Sequence, residues 1–249
     1  MKIGIISAMQ EEIQALLNHL ENPRSEEKGM RTYYSGMLFG NDVVLVFSRW
    51  GKVASAVTTT QLINDYHVDE IIFTGVAGAI SSKLNIGDIV VGRNLMQHDM
   101  NAYPLYPKYE IPLLGKGSFQ TKDTERLLHA SKEFIADFNQ YISANEAEEF
   151  HISKPKVVVG DIVSGDRFVS DLNKIKKLRV EFPGAKCVEM EGAAVAQVCY
   201  EYDIPFSIIR VISDEANHSA TIDFPKFCQS VAQKYIKGIF ENYFSLILL

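Results

Sequence analysis

Three cysteines are few for 249 residues, and Cys187, Cys199 and Cys228 match no metal-ligand spacing and leave one thiol over from any pairing. They read as buried, reduced thiols of a cytoplasmic protein rather than as a disulfide framework. Long apolar runs are missing too. The tail Phe244–Leu249 is far too short to cross a bilayer and is expected to pack as the end of the last helix. The brief apolar start, Met1–Met9, meets Glu11-Glu12 at once, which is unlike a secretory leader. Positive charge is scarce: 25 Lys and Arg against 31 Asp and Glu give a net charge of −6, which argues against nucleic acid as a partner. The six histidines are scattered, with no His-x-x-x-His pair. Neither a Gly-x-Gly-x-x-Gly dinucleotide signature nor a P-loop occurs, so dinucleotide or nucleoside triphosphate chemistry has little support.

What is present is an alternation of short β-branched runs with helical patterns. Lys2–Ser7, Glu70–Thr74, Asp88–Val91, Lys156–Ser164 and Pro205–Ser213 read as strands. Glu11–Leu20, Lys52–Tyr66, Thr121–Gln140, Leu172–Phe182, Ala193–Tyr202 and Asp223–Phe244 read as helices. Arg31–Leu38 and Val43–Phe47 flank Phe39-Gly40-Asn41-Asp42, a hairpin signal, and Asp99–Lys116 is a loop rich in Pro, Tyr and Gly. No repeat, linker or domain boundary interrupts residues 1–249. The expected architecture is α/β: one domain of three layers, α/β/α, around a mixed, mostly parallel central sheet.

The acids are placed unusually. Val188-Glu189-Met190-Glu191-Gly192 sets two carboxylates one residue apart, between apolar Ala185–Val188 and Ala193–Ala196. Ile209–Ser213 runs apolar into Asp214, and Ile3–Met9 runs into Glu11-Glu12. A carboxylate in apolar surroundings stays charged only if something hydrogen-bonds or pairs with it, and a hydroxylated ligand can do that. Lys52 and Arg210 are candidate counter-charges. In open α/β sheets ligands gather beyond the carboxyl ends of strands, which here are Ser7–Met9, Thr74–Gly78, Ser164–Asp166 and Ser213-Asp214. Taken singly these residues have plainer readings. Glu12 would be a solvated first-turn acid, Asp214 an N-cap, Gly75-Val76-Ala77-Gly78 a tight strand-to-helix turn, and Phe168 a core residue.

Together the segments are specific. Lys2–Glu12, Gly51-Lys52-Val53-Ala54, Thr74–Gly78, Gly87-Asp88-Ile89-Val90, Ser164-Gly165-Asp166, Val188–Gly192 and Ile212-Ser213-Asp214, in that order, resemble the nucleoside phosphorylase/nucleosidase superfamily. Within it they are most similar to the bacterial 5′-methylthioadenosine/S-adenosylhomocysteine nucleosidases, over nearly the whole chain. The resemblance implies hydrolysis of the N-glycosidic bond of an adenine nucleoside by a homodimer with no metal or organic cofactor. It implies that Glu12 activates water and Asp214 protonates adenine at N7. Glu191 would hydrogen-bond the ribose hydroxyls, with Met190 under the sugar. Phe168 would stack on the base, the Val169 backbone would meet its edge, and Phe224 would close over the thioalkyl side. Met9, Val76, Ala77, Gly78, Glu189 and Ser213 complete the binding set. Tyr103, Leu105, Tyr106 and Pro112 would cover the 5′ pocket of a neighbouring subunit.

The chain also departs from the pattern. Val76 stands where many members have serine, Arg49-Trp50 stand where a small and an aliphatic residue are usual, and the loop Gln97–Pro107 differs. These positions leave open the 5′ group, a nucleosidase for a 6-amino-6-deoxyfutalosine-type substrate, and, through Arg49, an anion. A phosphorylase would have to seat phosphate, which Glu12 repels where phosphorylases carry a Gly-Asp-Pro turn. A binding protein without catalysis would have no need of Glu12.

Overall fold

The computed structural model describes residues 1–122, 124–214 and 220–246, without the side chains of 220–223. The first half runs β1 (Lys2–Ser7), α1 (Gln10–Leu17), β2 (Leu20–Lys28), β3 (Arg31–Leu38), β4 (Asn41–Phe47), α2 (Lys52–Tyr66), β5 (Glu70–Thr74), β6 (Val76–Ala79), β7 (Ile89–Gln97) and β8 (Phe119–Gln120). The second runs α3 (Glu125–Ala136), α4 (Phe138–Tyr141), α5 (Ala144–Glu149), β9 (Val157–Ser164), α6 (Leu172–Glu181), β10 (Ala185–Glu189), α7 (Gly192–Glu201) and β11 (Phe206–Asp214). The chain closes with α8 (Ala220–Phe227), a π-helical turn (Cys228–Ala232) and α9 (Gln233–Ser245).

The strands form one mixed sheet ordered β2-β3-β4-β1-β5-β11-β6-β10-β9-β7-β8. β1–β4, β1–β5, β5–β11, β11–β6, β10–β9 and β9–β7 are parallel. β11 organises it. Its first residues pair with β5 and its last with β6, while Ile209–Val211 pair antiparallel with β7. The β6–β10–β9–β7 half therefore curls back onto β11, whereas the β2–β5 half stays open.

The two sheet faces follow the period-2 alternation of buried strands. Ile3, Ile5, Val43, Leu45, Ile209 and Val211 pack towards α1, α3 and α9, with Phe134, Phe227, Phe240 and Phe244. Ile6, Val44, Val46, Phe73, Ile208 and Ile212 pack the other way, against Leu62, Ala193, Val195 and Cys199. A fully buried aliphatic side chain contributes about 1.5–3 kcal/mol, so such a core can carry several buried acids at its edge. Cys187, Cys199 and Cys228 are buried, unpaired thiols, each pushed up by burial.

Several boundaries differ from the pattern reading. Helix α1 stops at Leu17 rather than Leu20, and Leu20–Lys28 forms an unexpected edge strand. Its polar residues are exposed, and its register shifts between Glu21 and Arg24, around Asn22-Pro23. A sheet edge tolerates both features, because only one side of the strand needs a partner. Gly75 leads into the strand β6 rather than into a helix. Thr121–Gln140 resolves into Glu125–Ala136 and Phe138–Tyr141, with residue 123 outside the described residues. The hairpin stands as expected: Leu38 pairs with Asn41 across Phe39 and Gly40, both at positive φ. Phe244 is buried on α9, and residues 247–249 of the expected tail lie outside the described residues. No helix among the described residues is long and apolar enough to cross a membrane.

Candidate active site

One cleft of about 620 Å³, its open mouth included, lies over the ends of β1, β5, β9, β10 and β11. Its lining includes Met9, Val76, Ala77, Gly78, Phe168, Val169, Glu189, Met190, Glu191, Ser213, Asp214 and Phe224. All twelve were singled out from the sequence. Ala8, Trp50, Gly75, Arg167, Val188 and Arg210 line it as well. Tyr103 and Leu105 are exposed, Tyr106 and Pro112 partly so, and none of the four lines this cleft. Among the described residues, no group of three His, Cys, Asp or Glu side chains is placed to hold a metal ion.

The floor is a closed polar cluster. Arg210 lies on the all-buried strand β11 and donates to Glu189 Oε2 at 2.7 Å. It also donates to the carbonyls of Phe73 (3.2 Å) and Ile209 (2.9 Å), with its guanidinium 4.1 Å from the Phe73 ring centre. Glu189 Oε2 accepts the Gly192 N–H at 2.8 Å as well, and Oε1 accepts from Ser164 Oγ. Ser164 Oγ in turn accepts the Ala193 N–H at 2.7 Å. The cluster therefore fixes the start of α7 to the ends of β9 and β11. Both Glu189 oxygens are occupied by protein donors.

Glu191, next along, is 5% exposed and accepts the Gly51 N–H at 2.7 Å through Oε1. Its carboxyl is pushed well above the usual range, mainly by burial and then by the charge of Glu189. The Gly51 N–H and Arg210 oppose that rise. Gly51 reaches it with φ +95°, a conformation that favours glycine.

Glu12 is wholly buried, so its place in the first turn of α1 is not the solvated one that residue type suggests. Ser7 Oγ donates to its Oε2, and Ser7 Oγ itself accepts the Met9 N–H at 2.9 Å. Glu12 Oε1 is buried with no hydrogen-bond partner among the described residues. Burial pushes its carboxyl up to about 7, against the lowering effects of the Ser7 hydrogen bond and Arg210. Asp214 ends β11, 2% exposed, and accepts from Ser213 Oγ at 2.8 Å. The charges of Glu12, Glu11 and Asp214 add to the burial that raises the Cys228 thiol.

Lys52 does not serve as a counter-charge to these acids. Its Nζ goes to Asp99 (2.6 Å) and Gln97 (3.0 Å), and its N–H goes to Asp166 (2.8 Å). It thereby ties α2 to the loops after β7 and β9. Arg49 also turns away, donating to the Met30 carbonyl at 2.6 Å, and does not line the cleft. The rim is aromatic: Trp50 meets Phe224 edge-on (6.0 Å, 82°), and Phe224 meets Phe168 likewise (5.8 Å, 72°). Trp50 and Arg167 were not singled out as site residues from the sequence. An aromatic rim over buried acids suits a flat, hydroxylated ligand.

Comparison with known proteins agrees with this picture. The family model of the phosphorylase superfamily matches residues 2–245. A 5′-methylthioadenosine/S-adenosylhomocysteine nucleosidase of Bacillus cytotoxicus is 36% identical over 233 residues, 93% of this chain and 94% of its own. The structure of such a nucleosidase from Colwellia psychrerythraea, in complex with adenine, superimposes with a TM-score of 0.85 at 33% identity, covering 98% of this chain and 95% of that one. The futalosine hydrolase of Helicobacter pylori superimposes with a TM-score of 0.81 at 32% identity, covering 100% and 98%.

Proposed function

Because the chain belongs to the phosphorylase superfamily and, within it, to the 5′-methylthioadenosine/S-adenosylhomocysteine nucleosidase family, we propose that it hydrolyses 5′-thio-substituted adenosines to adenine and the thioribose. The observation that carries this reading is that Glu191 and Asp214, both buried, line one cleft with an aromatic rim, with the buried Glu12, which does not itself line it, three residues beyond the lining residue Met9.

The bond that breaks joins the purine to the sugar, and its electron pair leaves with the base. Asp214 gives a proton to N7, so adenine departs neutral, a transfer worth roughly 10²–10⁴-fold. Glu12 takes a proton from the water that attacks the sugar carbon. A base poised at about 7 suits that task. Glu191 holds the ribose hydroxyls, and the site's carboxylates stabilise positive charge as it grows on the sugar. Phe168 stacks on the base. Two acids with opposite tasks need different environments, one protonated and one ionised during the reaction. The same reading makes the active form a cytoplasmic homodimer, in which Tyr103, Leu105, Tyr106 and Pro112 cover a neighbour's cleft. It assigns no cofactor.

A second reading keeps the reaction and changes the substrate to a 6-amino-6-deoxyfutalosine-type nucleoside. The likeness to the Helicobacter pylori hydrolase and Val76 in place of the frequent serine support it. Phosphorolysis has less behind it, since Arg49 is committed to Met30 and Arg210 to Glu189.

The test is adenine release from 5′-methylthioadenosine with and without phosphate. Release in phosphate-free buffer is expected. Release that requires phosphate would overturn hydrolysis, and turnover of the futalosine-type nucleoside alone would favour the second substrate.

A further inference from the structure

Trp50 is the largest side chain of the cleft, and 56% of its surface is exposed. It is nevertheless held. Its indole N–H donates to the Ala8 carbonyl, just beyond β1, at 2.9 Å. Its neighbours fix the backbone on both sides. Arg49 is left-handed (φ +70°) with its guanidinium on Met30, and Gly51 (φ +95°) gives its N–H to Glu191. The rings of Trp50, Phe224 and Phe168 stand in a row, with centroid steps of 6.0 and 5.8 Å. Phe168 is one end of that row and Trp50 the other. If the base lies on Phe168 and the ribose at Glu191, the indole stands where the sugar's 5′ group must go.

We propose that Trp50 sets the length of the 5′ group, so that the cleft takes short 5′ groups in preference to long ones. This rests on the adenine-nucleoside reading above. A smaller side chain at this position would leave the indole's volume to the ligand. An apolar pocket discriminates by about 10–200-fold per methylene.

The experiment compares wild type with Trp50→Ala and Trp50→Phe on 5′-methylthio-, 5′-propylthio- and 5′-butylthioadenosine and S-adenosylhomocysteine. Each is read twice, by calorimetric binding and by kcat/KM for adenine release. Trp50→Ala is expected to raise the butylthio-to-methylthio ratio at least about 10-fold in both readouts, with Trp50→Phe between it and wild type. Ratios that stay at the wild-type value in a variant that still binds adenine would overturn the proposal. If Trp50→Ala fails to bind adenine, Trp50→Phe decides on the same ratio. Binding ratios that change without any turnover would uphold the role of Trp50 and overturn the hydrolase reading. Absence of binding by every one of these nucleosides would overturn both.

Discussion

Glu189 gives both carboxylate oxygens to protein donors, whereas Glu12 has one oxygen on Ser7 and the other on nothing among the described residues. Both are buried, Glu189 as the last residue of β10 and Glu12 in the first turn of α1, which follows β1 of the same sheet. The first belongs to a closed cluster with Arg210, Ser164 and the start of α7. The second, with Glu191, is held above its ordinary range by burial. An acid that serves the fold is fully satisfied. One left short of partners costs stability, and that cost is explained if a substrate or a water completes it.

Changes on either side of this contrast should therefore break different things. Asp214→Asn removes the proposed proton donor and is expected to lower kcat by roughly 10²–10⁴-fold while changing adenine affinity much less, as steady-state kinetics and calorimetry would show. Unchanged kcat would remove Asp214 from the mechanism. Arg210→Met strikes the closed cluster instead. It leaves Glu189 buried without its cation, and denaturant unfolding should register a loss of about 3–5 kcal/mol. A loss below about 1 kcal/mol would mean that Glu189 is not satisfied by Arg210 in the way described. Ser7→Ala sharpens the comparison most finely. In wild type kcat/KM should rise with pH through about 7 as Glu12 ionises. Without the Ser7 hydrogen bond, which favours the charged form, that limb should move up by about one pH unit. A limb that stays in place would assign it to another group.

Much of this contrast was legible in the sequence, because an acid that ends an apolar, β-branched run has few ordinary explanations. Glu191 and Asp214 stood out for that reason, and Glu12 stood out through the segment before it. The twist of the sheet was not legible. Nothing in Phe206–Asp214 says that β11 pairs with β5, β6 and β7 at once, since a continuous apolar run carries no record of which neighbours it meets. The edge strand Leu20–Lys28 was hidden by its polar residues, which suit an exposed edge. Lys52 looked like a counter-charge for the acids, yet its long side chain reaches Asp99 and Gln97 instead. Trp50 was visible as an unusual residue, but only the Ala8 hydrogen bond and the contact with Phe224 bring it to the cleft.

The unfolding free energy of Glu12→Gln at pH 8, beside wild type, tests most directly whether an unsatisfied carboxylate is retained at a cost to the fold. The carboxyl of Glu12 is raised from 4.5 to about 7 in the folded protein, so the folded state holds the proton more tightly than the unfolded one. Wild type therefore loses stability as pH rises from 4.5 to 7, and the loss is complete above 7. Glutamine carries no charge to bury. The variant should be more stable than wild type at pH 8 by on the order of 2–3 kcal/mol, with the difference vanishing below the unfolded value. A Glu12→Gln protein that is less stable than wild type at pH 8 would contradict the account, because Glu12 would then be serving the fold as Glu189 does.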